Sequence, residues 1–431
     1  MSAKKVNIVT LGCSKNLVDS EHLLKQFEAN GFETVCDSNE PSDIAIINTC
    51  GFILDAKEES ISTIMDFIDA KERGEIQKLY VMGCLSARYK EDLIQEIPEV
   101  DRFFGKFDFD EIIRELNLQK RKDLLFDRKL TTPSHYAYLK IAEGCDRACA
   151  FCAIPQFTGR YKSVPIDDLV TEARNLANTG VKELLLIAQE LTYYGIDLYG
   201  SHKLPELVQE LSKIEGIEWI RLHYAYPNHF PNELLPVMRE NPKVCNYLDI
   251  PFQHIADNVL SNMRRNITGE QTRELITRIR KEVPGITLRT TMLVGFPGET
   301  EADFQELLQF IKEARFEKLG VFTYSHEDDT WAAKKFSDNI PPEIKQERAD
   351  LIMETQQAIS EELTSQKIGQ ILTVLVDRKE GKYYVGRTES DSPEVDGEVL
   401  ISSGHQLKTG EFYRVKINSS DLFDLYGEVI L

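Results

Sequence analysis

The stretch from Tyr136 to Cys152 reads YAYLKIAEGCDRACAFC and joins an apolar run to a cysteine-rich loop. The apolar part, Tyr138–Ile141, predicts a buried strand. Cys145, Cys149 and Cys152 follow directly after it. In a parallel β/α barrel, the loops at the carboxyl ends of the strands carry the reactive groups. The stretch therefore predicts the first strand of such a barrel, with cysteine chemistry in the loop that follows it.

Strand and helix patterns continue to alternate downstream of this stretch. Helical patterns such as Gly269–Glu282 and Glu301–Ala314 separate the strands, and a long charged helix, Pro342–Gln366, ends the series. This alternation predicts a partial (β/α)6 barrel in a domain spanning 135–366. The predicted strands are Tyr138–Ile141, Glu183–Ala188, Trp219–Tyr224, Tyr247–Pro251, Leu288–Val294 and Lys318–Tyr324.

The flanking segments predict two further domains, so the fold class is α/β overall. In 1–120, the strand patterns Val6–Leu11, Ile44–Asn48 and Leu79–Met82 alternate with helical ones, among them Ser20–Asn30 and Lys90–Ile97, which favours an open parallel sheet. The charged segment 121–134 is interpreted as a linker. Residues 367–431 show only short β patterns separated by turn signals, which predicts an OB-like all-β barrel. Its strands are Ile371–Val376, Tyr383–Thr388, Val399–Ile401, Tyr413–Ile417 and Leu425–Leu431.

The spacing of Cys145, Cys149 and Cys152 predicts an iron–sulfur site. Three thiolates on one tight loop can bind three irons of a cubane cluster, and no fourth cysteine follows nearby, so one iron stays open to a ligand. The alternatives are a structural zinc site and a chance cluster without a metal. Zinc usually takes four protein ligands with cysteines in closely spaced pairs, and no histidine lies nearby in the sequence to complete them.

Cys13, Cys50 and Cys84 predict a second site by a different route. Each follows a predicted parallel strand by one or two residues, and each has a glycine beside it. Because the carboxyl ends of parallel strands lie at one edge of a sheet, these cysteines are expected to converge there. The alternative is that each is a small buried hydrophobe, as free cysteine often is. Cys36 and Cys245 lack such a pattern and are interpreted as core or near-surface residues.

Composition restricts the class of protein. Lys and Arg total 51 against 71 Asp and Glu, a formal net charge of −20. This charge disfavours a dedicated nucleic-acid binder and favours a basic partner. No apolar run reaches membrane-spanning length and no signal-peptide pattern is present, so we expect a cytoplasmic protein without membrane contact.

The C-x-x-x-C-x-x-C motif, with Phe151 before its last cysteine, resembles the radical S-adenosylmethionine superfamily. The three-part chain as a whole resembles the methylthiotransferase family within it, whose last domain is a TRAM domain. The resemblance implies an enzyme with two 4Fe–4S clusters and S-adenosylmethionine as cofactors. It implies that Cys13, Cys50 and Cys84 hold an auxiliary cluster. It also implies that Cys145, Cys149 and Cys152 hold the cluster at which S-adenosylmethionine is cleaved to a 5′-deoxyadenosyl radical.

Two motifs are similar to the branch of that family that modifies a ribosomal protein. They are LGCSKNLVDSE, Leu11–Glu21, and NTCGFI, Asn48–Ile53; Ser14 departs from the pattern, which more often has proline there. The resemblance implies methylthiolation of the β-carbon of an aspartate in the twelfth protein of the small subunit. It also implies an electron donor such as flavodoxin or ferredoxin.

The charge of the C-terminal domain agrees with a basic protein partner. Residues 368–431 hold seven Lys or Arg against eleven Asp or Glu. We expect the acidic run Asp391, Glu394, Asp396 and Glu398 to face such a partner, whereas a barrel that binds RNA should be basic. The alternatives are a tRNA methylthiotransferase and, in another class, a non-catalytic iron–sulfur electron carrier or scaffold. A carrier would normally have four cysteines per cluster.

Candidate contacts to S-adenosylmethionine follow from strand ends and from the resemblance. Gln189 and Glu190 end the second barrel strand, Gln253 follows the fourth and Gly295 the fifth. Phe151 joins this set from the cysteine motif. His254 is equally consistent with a buried core histidine and with a functional one. Arg221 should pair either with a substrate carboxylate or with a buried acid.

Overall fold

The computed structural model describes residues 4–402 and 404–430, so the first residues of the predicted N-terminal domain and the final Leu431 of the last predicted strand lie outside the described residues. The chain forms two compact units. The first comprises Met1–Thr132, Tyr138–Arg147 and Cys152–Leu176, and the second comprises Pro133–Ala137, Ala148–Phe151 and Ala177–Leu431. The predicted domain boundaries remain predictions.

The strands and helices are numbered here in chain order. The strands are β1 (Lys5–Thr10), β2 (Glu33–Cys36), β3 (Ser42–Thr49), β4 (Ile76–Gly83), β5 (Arg102–Phe103), β6 (Tyr136–Lys140), β7 (Ala142–Glu143), β8 (Lys162–Ser163), β9 (Glu183–Ile187), β10 (Trp219–Leu222), β11 (Val244–Asp249), β12 (Thr287–Val294), β13 (Lys318–Thr323), β14 (Ile371–Glu380), β15 (Tyr383–Arg387), β16 (Val399–Ser402), β17 (Phe412–Ser420) and β18 (Leu425–Val429). The helices are α1 (Ser14–Ala29), α2 (Leu54–Glu72), α3 (Cys84–Glu96), α4 (Phe109–Glu115), α5 (Ile154–Thr158), α6 (Ile166–Asn178), α7 (Ile196–Tyr199), α8 (Leu204–Ser212), α9 (Leu234–Glu240), α10 (Asp257–Asn262), α11 (Gly269–Glu282), α12 (Glu301–Ala314), α13 (Trp331–Lys335) and α14 (Pro342–Ser365). Short 3-10 turns lie at Lys122–Leu124 and Leu191–Tyr193.

The sheet of the first unit is open and parallel, with the strand order β2-β1-β3-β4-β5. Along β3, Ile44 and Ile46 pack with α1 and α4, whereas Ala45 and Ile47 pack with α2 and α3. This alternation follows from the two-residue period of a strand that is buried on both faces. The predicted open α/β sheet is therefore confirmed.

Two of the helices begin earlier than the sequence predicts. The patterns placed helix starts near Ser20 and Lys90, but α1 begins at Ser14 and α3 begins at Cys84 itself. The first turns contain buried polar or small residues such as Asn16 and Ser86, so apolar periodicity does not report them. The edge strands β2 and β5 were also missed, because each is too short to show a pattern.

Parallel strands form the barrel sheet, in the order β13-β12-β11-β10-β9-β6. The first two residues of β6 belong to the second unit, as do β9, β10, β11, β12 and β13. Every residue of β9 is buried, as expected for a strand covered on both faces. The predicted six strands of a partial barrel are confirmed. The C-terminal strands form a closed barrel in the order β14-β15-β16-β18-β17, which confirms the predicted small all-β barrel.

The C-terminal barrel packs against the amino ends of the parallel strands within the second unit. Trp219, the first residue of β10, contacts Phe412 with ring centroids 4.8 Å apart. Arg221 pairs with the buried acid Glu183 at 2.8 Å and donates to the carbonyl of Glu389 at 2.6 Å. Of the two expectations for Arg221, the buried-acid pairing is the one observed. This contact lies at the strand ends opposite to those that precede the candidate cofactor loops.

Two of the four acids in this run, Asp391 and Asp396, have internal side chains, so the prediction that the whole run forms a docking face is wrong. Asp391 is buried and accepts from Lys318 at 2.8 Å, and Asp396 accepts from the hydroxyl of Tyr247 at 2.8 Å. Although burial alone would raise it, Lys318 holds the pKa of Asp391 below its ordinary value. These two acids bind partners on the parallel strands, which a count of charges along the sequence does not reveal.

Candidate functional site

Three cysteines meet at the carboxyl edge of the first sheet. β1 ends at Thr10, β3 at Thr49 and β4 at Gly83, and Cys13, Cys50 and Cys84 follow within three residues. The parallel registers pair Thr10 with Asn48 and Thr49 with Gly83, so the three strand ends lie side by side. Cys50 and Cys84 are buried and Cys13 is half-buried. The structure brings together the residues that the sequence predicted to converge.

The neighbouring glycines allow this close approach. A Cβ on Gly12 would lie 2.6 Å from the Cβ of Cys50, and one on Gly51 would lie 2.9 Å from the backbone carbon of Cys84. Gly12 also has a φ of +89°, a conformation that L side chains rarely adopt. Each glycine therefore packs directly against the segment that carries the next cysteine.

Two buried asparagines hold the same strand ends together. The amide of Asn16 donates to the carbonyls of Leu11 at 3.0 Å and Thr49 at 3.1 Å. Asn48 donates to the backbone carbonyl of Asn16 at 2.9 Å. These bonds join the ends of β1 and β3 to the first turn of α1. Both asparagines lie in the quoted motifs, but their positioning role was not predicted.

Burial and nearby charges shift the pKa values of the three cysteines in different directions. Burial raises the pKa of Cys84 to about 12 despite the nearby ammonium of Lys106. Burial also raises the pKa of Cys50. For Cys13 burial acts in the same direction, but Lys15 and Lys106 outweigh it and lower the pKa. Thiolates are the form that binds metal, so loading this site must release protons, least readily from Cys84.

The second cysteine group is divided between the units, with Cys145 and Cys152 in the first and Cys149 in the second. In the first unit, the backbone N–H of Cys145 donates to the carbonyl of Gly159 at 3.2 Å. A Cβ on Gly144 would lie 2.1 Å from the carbonyl oxygen of Arg160, so only glycine fits there. The loop before Cys145 is therefore folded tightly against the segment after α5.

Cys149 has two neighbours that the sequence analysis missed. Nη1 of Arg265 lies 3.3 Å from its Sγ, and the hydroxyl of Tyr226 lies 3.7 Å from the same atom. The guanidinium lies 4.3 Å from the ring centroid of Tyr226, and Arg265 also donates to the carbonyl of Pro251 at 2.6 Å. No motif marks either residue, and more than a hundred positions separate Arg265 from Cys149. Only the folded chain brings them together.

The start of α3 packs against the segment that follows Cys152. Cys84, Ala153 and Phe157 form one buried apolar cluster, with Ala87 and Ile154 packed against it. Both segments belong to the first unit. A residue of the first cysteine group therefore lies beside the chain that leaves the second.

The candidate cofactor residues have mixed surroundings. Phe151 packs against an apolar cluster that includes Phe296. Glu190 accepts from the backbone N–H of Tyr193 at 3.0 Å and caps a 3-10 turn. Gln189 lies next to it, directly after β9. Whether Phe151, Gln189 and Glu190 contact S-adenosylmethionine remains a prediction.

The loops after β11 and β12 meet at a buried contact between His254 and Glu299. Gln253 has a φ of +74° and forms an isolated bridge to Met292. The N–H of Gly295 donates to Glu299 at 2.8 Å, and Glu299 lies 3.7 Å from Nε2 of His254. His254 is fully buried, which favours its interpretation as a core histidine. The predicted roles of Gln253 and Gly295 at a cofactor stay predictions.

The first cysteine group, Cys13, Cys50 and Cys84, offers a donor set suited to a cubane cluster. In the described residues, no three His, Cys, Asp or Glu side chains are arranged around a single metal position. A cubane cluster instead takes each thiolate on a different iron atom. Cysteines on three separate strand ends, with glycines that leave room between them, suit that requirement.

Comparison with known families and proteins follows the same division of the chain. Residues 139–311 match the radical SAM superfamily, residues 5–105 match a family described as Uncharacterized protein family UPF0004, and residues 368–430 match the TRAM domain. A protein of Phocaeicola vulgatus named ribosomal protein uS12 methylthiotransferase RimO is 56% identical over 432 residues, covering 100% of both chains. A protein of the same name from Christiangramia forsetii is 55% identical over 99% of this chain and 95% of its own.

Solved structures with a similar fold are much more distant in sequence. The radical S-adenosylmethionine methyltransferase TsrM from Kitasatospora setae, solved with cobalamin and a [4Fe-4S] cluster, matches with a TM-score of 0.56 and 14% identity. The match covers 74% of this chain and 75% of that one. These likenesses support the fold alone. The curated relatives, which match over the full length, show the family: this chain belongs to the RimO family of radical S-adenosylmethionine methylthiotransferases, enzymes that use iron–sulfur clusters and S-adenosylmethionine.

Proposed function

We propose that this enzyme attaches a methylthio group to the ribosomal protein uS12, at the β-carbon of an aspartate. In this proposal Cys13, Cys50 and Cys84 hold an auxiliary 4Fe–4S cluster at which sulfur is supplied. The observation that carries the proposal is the meeting of these three cysteines at one sheet edge, beside the segment that follows Cys152. Two cysteine groups in neighbouring segments are what a reaction with both a sulfur source and a radical source requires.

The second group, Cys145, Cys149 and Cys152, would hold the radical cluster. S-adenosylmethionine held at that cluster would supply the radical chemistry that removes a hydrogen from the target carbon. Arg265 would hold its guanidinium against Cys149 and so fix the position of that ligand. Gln189, Glu190, Gln253 and Gly295 would line the cofactor pocket, since they follow strands at their carboxyl ends, and Phe151 would join them from the cysteine motif.

Three thiolates per group support an enzyme over an electron carrier. In each group the protein leaves one iron without a cysteine, which a carrier would not do. The open irons would take S-adenosylmethionine in one group and sulfur in the other. An electron donor such as flavodoxin or ferredoxin would supply the reducing electrons.

The overall charge supports a protein substrate over tRNA. A net charge of −20 attracts a basic protein and repels a polyanion. This support comes from the whole chain, because Asp391 and Asp396 of the C-terminal barrel are paired inside the protein. No helix in 4–402 or 404–430 is long and apolar enough to cross a membrane. We propose a cytoplasmic location, where ribosomal proteins are made and assembled.

The test compares the two candidate substrates in separate incubations under the same conditions. Reconstituted protein is incubated anaerobically with S-adenosylmethionine, a sulfur source and a reductant, and with either uS12 or bulk tRNA. Mass spectrometry then locates the modification. We expect methylthiolated aspartate in uS12 and unmodified tRNA. Methylthiolated tRNA with unmodified uS12 would replace this proposal by the tRNA alternative.

A further inference from the structure

Lys106 is a buried cation in contact with a proposed cluster ligand. Its side chain is 2% exposed. Its Nζ lies 3.7 Å from Sγ of Cys84 and 3.5 Å from Oδ1 of Asn16. Burying an ammonium is costly unless anions or acceptors surround it, so this position requires a compensating partner.

Glu143, which lies two residues before Cys145, supplies part of the compensating negative charge. Nζ of Lys106 is 3.5 Å from one of its carboxylate oxygens. The other oxygen of Glu143 lies 2.9 Å from Lys140, which itself pairs with Asp19. Lys106 thus shares its carboxylate with a second cation. Of these four charged groups, Lys106 is the one in contact with Cys84.

Such a charge acts on a cluster in a predictable direction. One-electron reduction adds a negative charge, and net charge and hydrogen bonds to the cluster sulfurs set the reduction potential. An ammonium held in a low-dielectric interior favours the more negative, reduced state. Removing it should make the cluster harder to reduce.

We propose that Lys106 sets the reduction potential of the auxiliary cluster, by holding a fixed positive charge and an N–H donor against Cys84. The inference rests on the proposed assignment of Cys13, Cys50 and Cys84 as ligands of that cluster. It concerns the electrostatics of the site and adds Lys106, with Glu143 as its counter-charge, to the residues that the reaction depends on.

A purely structural role for Lys106 gives a different expectation. If Lys106 and Glu143 only tie two segments together, removing either one should loosen the site and change the potential in the same direction. If they act as charges, the directions are opposite. Lys106→Met removes a positive charge and should lower the potential, whereas Glu143→Gln removes a negative charge and should raise it.

The experiment uses the full-length chain with Cys145, Cys149 and Cys152 replaced by Ala, so that only the auxiliary cluster forms. Its reduction is followed by EPR during anaerobic titration with titanium(III) citrate. At a fixed potential, Lys106→Met should lower the ratio of reduced to oxidised cluster at least tenfold, which is 59 mV for one electron. Lys106→Arg should restore it to within about threefold, about half that shift. Lys25→Met, which removes a half-buried lysine of α1 that pairs with Glu28, should change nothing.

An unchanged potential in Lys106→Met with full iron content would overturn the inference, as would shifts of the same sign in Lys106→Met and Glu143→Gln. If Lys106→Met binds no iron, the sign of the Glu143→Gln shift decides, with a lowered or unchanged potential counting against the inference. Absence of iron from the parent chain would be a different result, because it would refute the cluster assignment itself.

Discussion

Arg387 of the C-terminal barrel forms a buried ion pair with Glu183, the first residue of β9, with Nη1 2.8 Å from Oε2. Glu183 also accepts from Arg221 at 2.8 Å, and Arg387 also binds Asp377 at 2.7 Å. Asp377 in turn lies 2.7 Å from Nε2 of His135. The barrel is therefore joined to the parallel strands by a continuous buried network of charges.

We expect Arg387→Met to lower the free energy of unfolding by roughly 3–5 kcal/mol, because it leaves buried carboxylates without a counter-charge. Chemical denaturation followed by circular dichroism measures this. Arg378→Met is the control, since the pair between Arg378 and Glu398 is largely exposed and should contribute at most about 1 kcal/mol. Equal effects of the two substitutions would contradict the importance assigned to the buried network.

Deletion of the chain after Lys367 should destabilise the protein for the same reason, because it removes the partners of buried groups. It exposes Glu183 and Arg221 and removes the ring of Phe412 from Trp219. We expect a lower thermal midpoint for the remaining chain, along with any loss of activity on uS12. A truncated protein with an unchanged midpoint would show that the C-terminal barrel serves docking alone.

His254 and Glu299 form a buried pair whose pKa values are displaced in opposite directions. Burial lowers the pKa of His254 to about 3, and it raises that of Glu299 to about 7 although Arg348, 2.7 Å from the Glu299 carboxylate, acts in the opposite direction. Between pH 4.5 and 6.5 the folded pair is neutral and holds one proton, and the unfolded pair also holds one, on the histidine. The contributions of the two residues to the pH dependence of the unfolding free energy therefore cancel in that range.

Replacing either residue alone should reveal how the shifted pKa of the other makes the free energy of unfolding depend on pH. With His254→Gln, Glu299 alone keeps its raised pKa, so stability should fall as pH rises from 4.5 to 7, by up to about 3 kcal/mol. With Glu299→Gln, the lowered pKa of His254 should make stability rise from pH 3 to 6.5. Denaturation midpoints across this range are the measurement. Parallel curves for both variants and the natural chain would contradict the account of this pair.

Gly12 tests the geometry of the first cysteine group. Gly12→Ala should drive a methyl group into Cys50, 2.6 Å away, and prevent the auxiliary cluster from forming. Iron content should fall from about eight to about four per chain, since each cubane holds four. Gly31→Ala is the control, because Gly31 has a similar φ of +82° but nothing within 4 Å. Full iron content in Gly12→Ala would show that the close approach is not required.

Arg265 tests the second group. Arg265→Met removes the N–H that lies 3.3 Å from Cys149. We expect reductive cleavage of S-adenosylmethionine to slow by roughly tenfold or more, because a hydrogen bond to a charged group contributes about 1.5–3 kcal/mol. The adjacent Arg264 stacks on Trp331 instead, so Arg264→Met should leave the rate unchanged. Equal rates in Arg265→Met and Arg264→Met would remove Arg265 from the cluster environment.

The sequence predicted features that repeat along the chain better than those that depend on one distant contact. Alternating patterns located the parallel strands, and three cysteines at equivalent strand ends predicted their own convergence. Lys106, Tyr226 and Arg265 could not be found this way, since each reaches its cysteine only through the fold. The prediction that Asp391 is exposed was wrong, because the sequence does not show that Lys318 pairs with it inside the protein.

The most direct measurement follows uS12 by mass spectrometry after incubation with two cysteine variants. Cys50→Ala should give no methylthiolated aspartate, yet still cleave S-adenosylmethionine reductively, because Cys145, Cys149 and Cys152 are intact. Cys36→Ala, which replaces a cysteine outside both groups in the same sheet, should modify uS12 like the natural chain. Methylthiolated uS12 produced by Cys50→Ala, or loss of cofactor cleavage in that variant, would contradict the assignment of two separate clusters.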